Sequence, residues 1–382
     1  MQRLRSLLDY IKKADKFYWL IMLSISVYSL VLLSAVPLSS TGRSYFNVQL
    51  IAILLGYFGA ILFTLIDYRE ISNYWYIVAG FCLFLIIYTQ LFGVAVTSSG
   101  GINAKAWIRL PGGTFQPSEL VKIGFMITFS KHLSALKERE LLTSFPQIVL
   151  LALHAMVPVG LVHLQGDDGT AVIFFCMFLA MAFGAGVQLR YFAAVFAGMI
   201  VALPIAWIYV LKDYQKDRFT IFRHPEADPL GKGLQQIQGR LSIGSGQLWG
   251  RGLFSSNTRV SKELVPVQEK DFIFSVAGEL LGFVGCMLIL LLLMIFLFHT
   301  LRIAMKSQDC LGTSICFGFF GMVAAQALFN LGMCLNLLPV MGVTLPFFSA
   351  GGSSAACLYF GFGLVQNVHM HRTNLDKVSL HR

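Results

Sequence analysis

Ten apolar runs, each long enough to cross a bilayer, divide this chain. They lie near 17–38, 47–66, 75–96, 118–135, 146–164, 168–187, 191–211, 271–299, 312–336 and 345–368. A helix needs about 20 apolar residues to cover the hydrocarbon layer, and every backbone polar group there must be bonded within the protein. The fold class is therefore read as all-α: a polytopic membrane protein with about ten transmembrane helices in a single integral membrane domain spanning 1–382. Composition agrees, with 56% hydrophobic and only 13% charged residues, where soluble domains carry roughly 25% charge. No internal repeat of fixed period is visible.

The basic lead Arg3, Arg5, Lys12, Lys13 and Lys16 raises the question of a signal peptide. The apolar run after it exceeds the usual core of about 7–15 residues and is read as a retained first span. Seven cysteines fall almost entirely in apolar stretches without a Cys-x-x-Cys pair, so they read as small buried hydrophobes. The net charge of +10 fits loops that face anionic lipid headgroups. It does not imply nucleic-acid binding, because no basic stripe with interleaved aromatics is present.

Ten spans place both termini on one side, together with Arg69, the 131–139 segment, Arg190, Arg302, Lys306, Arg372, Lys377 and Arg382. The short loops opposite hold Arg43, Lys105 and Arg109. The positive-inside rule puts both termini in the cytoplasm. The one large polar loop, about 212–270 between the seventh and eighth spans, is then extracytoplasmic, since long loops translocate largely regardless of charge. Nucleotides do not reach that face, and the chain has no Walker or dinucleotide pattern. Chemistry there needs a substrate already activated and carried in the membrane.

Charged residues mark the candidate sites. In Gln116-Pro117-Ser118-Glu119-Leu120-Val121-Lys122, Glu119 and Lys122 share one helical face and can pair. Ionisable groups at this depth point to a site, with a structural ion pair as the alternative. The preceding 100–113 segment, rich in Gly and Pro, reads as a loop whose Lys105 and Arg109 either bind phosphate or anchor headgroups. Asp167 and Asp168 read first as helix caps and only weakly as ligands for a divalent cation. Within the large loop, glycines between 231 and 252 permit close backbone approach and amides that cradle an anion, while Arg218 and Arg240 can grip pyrophosphate. Leu234, Ile237, Leu241, Ile243 and Trp249 suggest that this loop folds back on the membrane.

Asp271 ends the loop in Lys270-Asp271-Phe272-Ile273-Phe274, with Glu279 two turns deeper. Its position suits an N-cap and a general base equally. The segment 336–354 reads as a broken, re-entrant start to the last span, which must line a cavity or be buried in protein. Ser353 within it has no His–acid pair to make it a nucleophile, and His369-Met370-His371 is too short to argue for metal.

Together these segments resemble the SEDS family (shape, elongation, division and sporulation), most closely its RodA branch. The resemblance rests on Gln116-Pro117-Ser118-Glu119 with Lys122, Asp228-Pro229-Leu230-Gly231, Ile243-Gly244-Ser245-Gly246, Asp271-Phe272-Ile273-Phe274, and Pro346 with Gly351-Gly352-Ser353. It implies a peptidoglycan glycosyltransferase of the bacterial cytoplasmic membrane that polymerises lipid II on the outer face, serving elongation, division or sporulation. The family's essential aspartate falls on Asp271, and its fourth-span Glu and Lys fall on Glu119 and Lys122. The implied partners are a class B penicillin-binding protein, lipid II and membrane lipids. On this reading Asp271 is the base, and Lys105, Arg109, Arg218 and Arg240, with a divalent cation (Mg or Mn) and no nucleotide, neutralise the leaving pyrophosphate. Glu119, Lys122 and Ser353 serve as substrate-binding or structural support. A lipid II flippase and a non-catalytic scaffold are the rival readings.

Overall fold

A computed structural model describes residues 12–38, 42, 44–97, 103–110, 113–209, 211, 213–231 and 233–372. The expectations placed on Arg3, Arg5, Arg43, Lys377 and Arg382 lie outside the described residues. The chain runs α1 (Lys16–Ser34), α2 (Tyr45–Leu65), α3 (Tyr68–Asn73), α4 (Trp75–Phe92), β1 (Val94–Thr97), β2 (Asn103–Leu110), β3 (Gly113–Phe115), α5 (Pro117–Glu138), α6 (Phe145–Leu164), α7 (Asp168–Ala185) and α8 (Leu189–Tyr209). It continues through α9 (Asp213–Arg223), a 3-10 turn (Pro225–Ala227), α10 (Leu234–Ser245), α11 (Ile273–Met305), α12 (Cys310–Cys334) and α13 (Gly352–His371).

Each of the ten expected spans is a long helix. Eight are apolar and long enough to cross a membrane: α1, α2, α4, α6, α7, α8, α11 and α12. The other two, α5 and α13, are of similar length but carry more polar residues, and both lie largely buried among the rest. The molecule is thus a membrane-embedded helical bundle.

Small residues let these helices approach closely, as expected where lipid supplies no hydrophobic drive for helix pairing. Gly56 and Gly59 of α2 sit under the rings of Tyr359 and Phe360 of α13, and Gly363 presses on the backbone of Ala60. Gly318 and Gly321 of α12 meet Met181 and Ala180 of α7 in the same way.

Polar contacts fix the two ends of the bundle. At one end, Asp15 meets His299 at 2.7 Å, and Asp309 accepts from Tyr68 Oη and Arg69 Nε, both at 2.8 Å. There Lys137 donates to the Ala185 carbonyl and Arg190 to the Thr143 carbonyl. At the other end, the Lys105 N–H donates to the Gln165 carbonyl, and Gln215 donates to Asp168. Of the basic residues assigned to one side by charge counting, Arg69, Lys137 and Arg190 therefore lie at one end, and the 213–271 loop stands at the other, here called the loop end.

Three local expectations need correction. The segment expected as a loop near 100–113 includes β2, the central strand of a three-stranded antiparallel sheet in the order β1-β2-β3. Its period-two alternation, with Lys105 exposed, Ala106 buried and Arg109 exposed, is the strand signal that the flanking glycines and proline obscure. The eighth span begins at Ile273 rather than 271 and runs on to Met305, with a break at Gly282, whose φ of 69° is left-handed. The last helix begins only at Gly352, because 336–351 is almost wholly non-helical.

Candidate active site

Polar residues at the top of α5 converge with the start of α13. Pro117 opens α5 in its first turn, where its missing N–H costs nothing. One turn later Lys122 Nζ donates to Glu119 Oε1 at 2.9 Å, and the two residues are 1% and 5% exposed. The second Glu119 oxygen accepts from Ser354 Oγ at 3.1 Å. Next to this pair, the Gln116 N–H donates to Ser353 Oγ, and Gln116 Nε2 donates to Asp167 Oδ2 at 2.7 Å. Buried charge is expensive unless paired and hydrogen-bonded, and here both conditions are met by residues from α5, α13 and the turn before α7.

Asp167 is the N-cap of α7 and accepts from the Thr170 N–H at 3.0 Å. Burial pushes its carboxyl above the ordinary range, against the lowering effect of the Thr170 bonds. Asp168 accepts from Gln215 at 2.8 Å and meets His163 Nδ1 at 2.7 Å, tying α9 of the loop to the bundle. Both carboxylates are thus occupied by protein groups. Among the described residues no group of three or more His, Cys, Asp or Glu side chains is arranged to hold a metal ion.

Asp271 is 5% exposed and lies in the turn before α11, packed with the buried Phe272 and Phe274. The N-cap of α11 is Phe272, without a side-chain cap bond. Asp271 thus stands one residue before the cap position of α11. The turn is held by its backbone. The Asp271 N–H donates to the Val267 carbonyl, and its carbonyl accepts from Asn330 Nδ2 at 2.8 Å. Asn330 also donates to the Val343 carbonyl at 2.8 Å, so one buried amide of α12 clamps both the catalytic candidate's turn and the broken segment.

That broken segment joins the two carboxylate regions. Ala350 N–H donates to the Glu269 carbonyl, and Ser349 Oγ donates to the Lys270 carbonyl. Gln49 of α2 donates to the Phe347 carbonyl and accepts from the Gly351 N–H, while Ser29 of α1 donates to the Phe348 carbonyl. Non-helical backbone at this depth is therefore satisfied by buried side chains, as the bilayer requires. From Lys270 the path runs through 349–351 to Ser353, Ser354 and Glu119.

The loop packs on α11. Gly239 of α10 faces the Phe272 ring, Gly246 faces the Gly278 carbonyl, and Gly250 faces Leu280. The close approach that these glycines allow is used against the chain's own helix. This corrects the anion-cradle reading at those three positions and at Gly252, whose N–H donates to the Leu280 carbonyl. The basic residues are dispersed. Lys105 and Arg109 are exposed on β2, Arg218 is half-buried on α9, and Arg240 is exposed on α10, 3.8 Å from Glu226. Lys122 is the cation brought into the buried cluster.

Sequence reasoning missed Ser354, Asn330 and the engagement of Glu279. The signal for the last two was available: each is a polar side chain set within a long apolar run.

A bundle of long apolar helices with a buried ion pair and a buried carboxylate at one end defines a polytopic membrane protein with a polar site at the membrane boundary. The chain belongs to the FtsW/RodA/SpoVE family: the model of that family, described as cell cycle protein, matches residues 14–374. It is 33% identical over 301 residues to the peptidoglycan glycosyltransferase MrdB of Escherichia coli strain K12, covering 78% of this chain and 80% of MrdB. It is 33% identical over 304 residues to stage V sporulation protein E of Bacillus subtilis, covering 79% and 81%. With the probable peptidoglycan glycosyltransferase FtsW of Geobacter metallireducens it shares 32% identity over 349 residues, 90% of each chain. Among solved structures, a chain from work on structural coordination of polymerization and crosslinking by a peptidoglycan synthase complex superposes with a TM-score of 0.79 at 28% identity, covering 94% of this chain and 99% of that one. The rod shape determining protein RodA of Thermus thermophilus gives 0.69 at 26% identity, covering 94% and 98%.

Proposed function

We propose that this protein is a peptidoglycan glycosyltransferase that polymerises lipid II on the outer face of the cytoplasmic membrane. The loop end faces outward on this reading, and both termini are cytoplasmic. The supporting relatives are peptidoglycan glycosyltransferases by name. The observation that carries the site is Asp271: a nearly buried carboxylate residue at the loop end, in a turn fixed through its main chain.

The Asp271 carboxylate accepts the proton of the acceptor sugar's 4-hydroxyl. That oxygen forms a bond to the donor's anomeric carbon as the bond from this carbon to pyrophosphate breaks. Undecaprenyl pyrophosphate leaves with the electron pair, and the anomeric configuration inverts because no enzyme-linked intermediate forms. Rigid placement of such a base is worth several powers of ten in rate. Lys105, Arg109, Arg218 and Arg240 supply positive charge to the leaving group from the water side. Glu119, Lys122, Ser353 and Ser354 hold the wall between α5 and α13. The carboxylates of Asp167 and Asp168 are engaged by protein groups and do not fit a resident Mg or Mn cation.

A class B penicillin-binding protein is the proposed partner, joining polymerisation to crosslinking as in the synthase complex that this chain resembles. The test is formation of glycan chains from fluorescent lipid II by the purified protein in detergent, with and without that partner. Asp271→Asn is expected to abolish the product, and full retained activity overturns the assignment. Absence of product from wild type, with lipid II crossing vesicle membranes, would favour the flippase. Absence of product from wild type without lipid II transfer, with partner binding retained in Asp271→Asn, would favour the scaffold.

A further inference from the structure

Glu279 is 0% exposed in the middle of an apolar stretch of α11, and the catalytic scheme makes no use of it. Both of its oxygens accept hydrogen bonds, and every donor comes from the extracytoplasmic loop. Arg259 N–H donates to Oε1 at 2.6 Å, Val260 N–H donates to Oε2 at 3.2 Å, and Ser242 Oγ donates to Oε2. The helix backbone beside it continues the seam, since its own carbonyl accepts from Arg251 N–H at 2.9 Å and the Leu280 carbonyl from Gly252 N–H at 3.0 Å. Gln268 then donates to the Val260 carbonyl at 3.0 Å, linking the Glu279-bound turn to the strand of chain that leads into Asp271.

We infer that Glu279 is a positioning residue that seats the 234–262 part of the loop on α11 and so fixes the loop beside Asp271. The inference rests on the proposed glycosyltransferase reading. A carboxylate is suited to this post because it is acceptor-only and both oxygens face donors. An amide of the same shape would turn one NH2 group toward a backbone N–H, which cannot rotate away. A leucine would leave two backbone N–H groups without acceptors in a dry seam. The glycines at 239, 246 and 250 let the loop backbone come close enough for these bonds. Two independent features therefore serve the same docking, one through hydrogen bonds and one through shape.

The experiment uses the purified full chain with Glu279→Gln, Ser242→Ala and Gly246→Ala, the last leaving Glu279 intact while adding a methyl against the Gly278 carbonyl. Amide hydrogen exchange at 239–262 is followed beside lipid II polymerisation, with KM and kcat separated. Glu279→Gln is expected to keep its size-exclusion profile and to speed exchange at Arg259 and Val260. It is expected to raise the KM for lipid II on the order of tenfold or more, since small misplacements near a site cost up to about a hundredfold. Gly246→Ala should reproduce both effects, and Ser242→Ala a weaker version of them. Unchanged exchange at Arg259 and Val260 overturns the docking. Faster exchange with unchanged KM and kcat overturns the positioning role. A wild type without polymerase activity overturns the glycosyltransferase reading and the positioning role with it, while the exchange data still decide whether Glu279 docks the loop.

Discussion

Helices α5 and α8 are nearly the same length, yet the bundle uses them in opposite ways. α8 is apolar enough to stand as a membrane span, and none of its residues is buried in protein. α5 carries Glu119, Lys122 and several serines and does not qualify as a span by apolarity, yet most of its first fourteen residues are buried. In water the apolar helix would be the core and the charged one the surface. In lipid the hydrocarbon is as apolar as leucine, so apolarity permits exposure, while charge must find partners inside. The helix that looks least like a membrane helix is therefore the one that builds the site.

This contrast can be broken experimentally. Lys122→Met strands the Glu119 carboxylate in the core and is expected to lower stability by about 3–5 kcal/mol, read as thermal unfolding in detergent. Combining it with Glu119→Gln should recover most of that loss without restoring polymerisation. If the single change is harmless, the pair is not what holds α5 in place. Ile200→Asp in the middle of α8 should cost about 3 kcal/mol in membrane insertion, measured in an insertion assay. A smaller effect would mean that α8 sees water rather than lipid.

Between these extremes lies Asn330→Leu, which removes the donor to the Asp271 and Val343 carbonyls. A loss of about 1–3 kcal/mol is expected for the unsatisfied groups, together with lower polymerase activity. Stability loss without activity loss would separate the clamp from catalysis. The smallest change is expected from Leu203→Ala on the lipid-exposed surface of α8, within about 0.5 kcal/mol. A larger effect would show that α8 packs against something that the isolated chain does not contain.

The spans were legible because hydrocarbon thickness is a one-dimensional constraint, and a run of apolar residues satisfies it locally. The pairing of Glu119 with Lys122 was legible for the same reason, since three residues along a helix fix their common face. The strand at 103–110 was not read, because the Gly and Pro around it outweigh a short alternation. The glycines of the large loop were misread because freedom to approach closely does not say what is approached. At 239, 246 and 250 it is α11.

Asp271 shows where sequence stops. Its place at the head of an apolar run allowed both a cap and a base, and nothing local chose between them. The structure puts Phe272 at the N-cap of α11 and ties the Asp271 carbonyl to Asn330, some sixty residues on. Sequence by itself determined a ten-span bundle, its charge asymmetry and the charges too costly to leave unpaired, because each follows from what lipid does to neighbouring residues. Only the tertiary structure decided which of those charges meet, and that the loop is seated on α11 through Glu279, because those bonds join residues far apart in the chain.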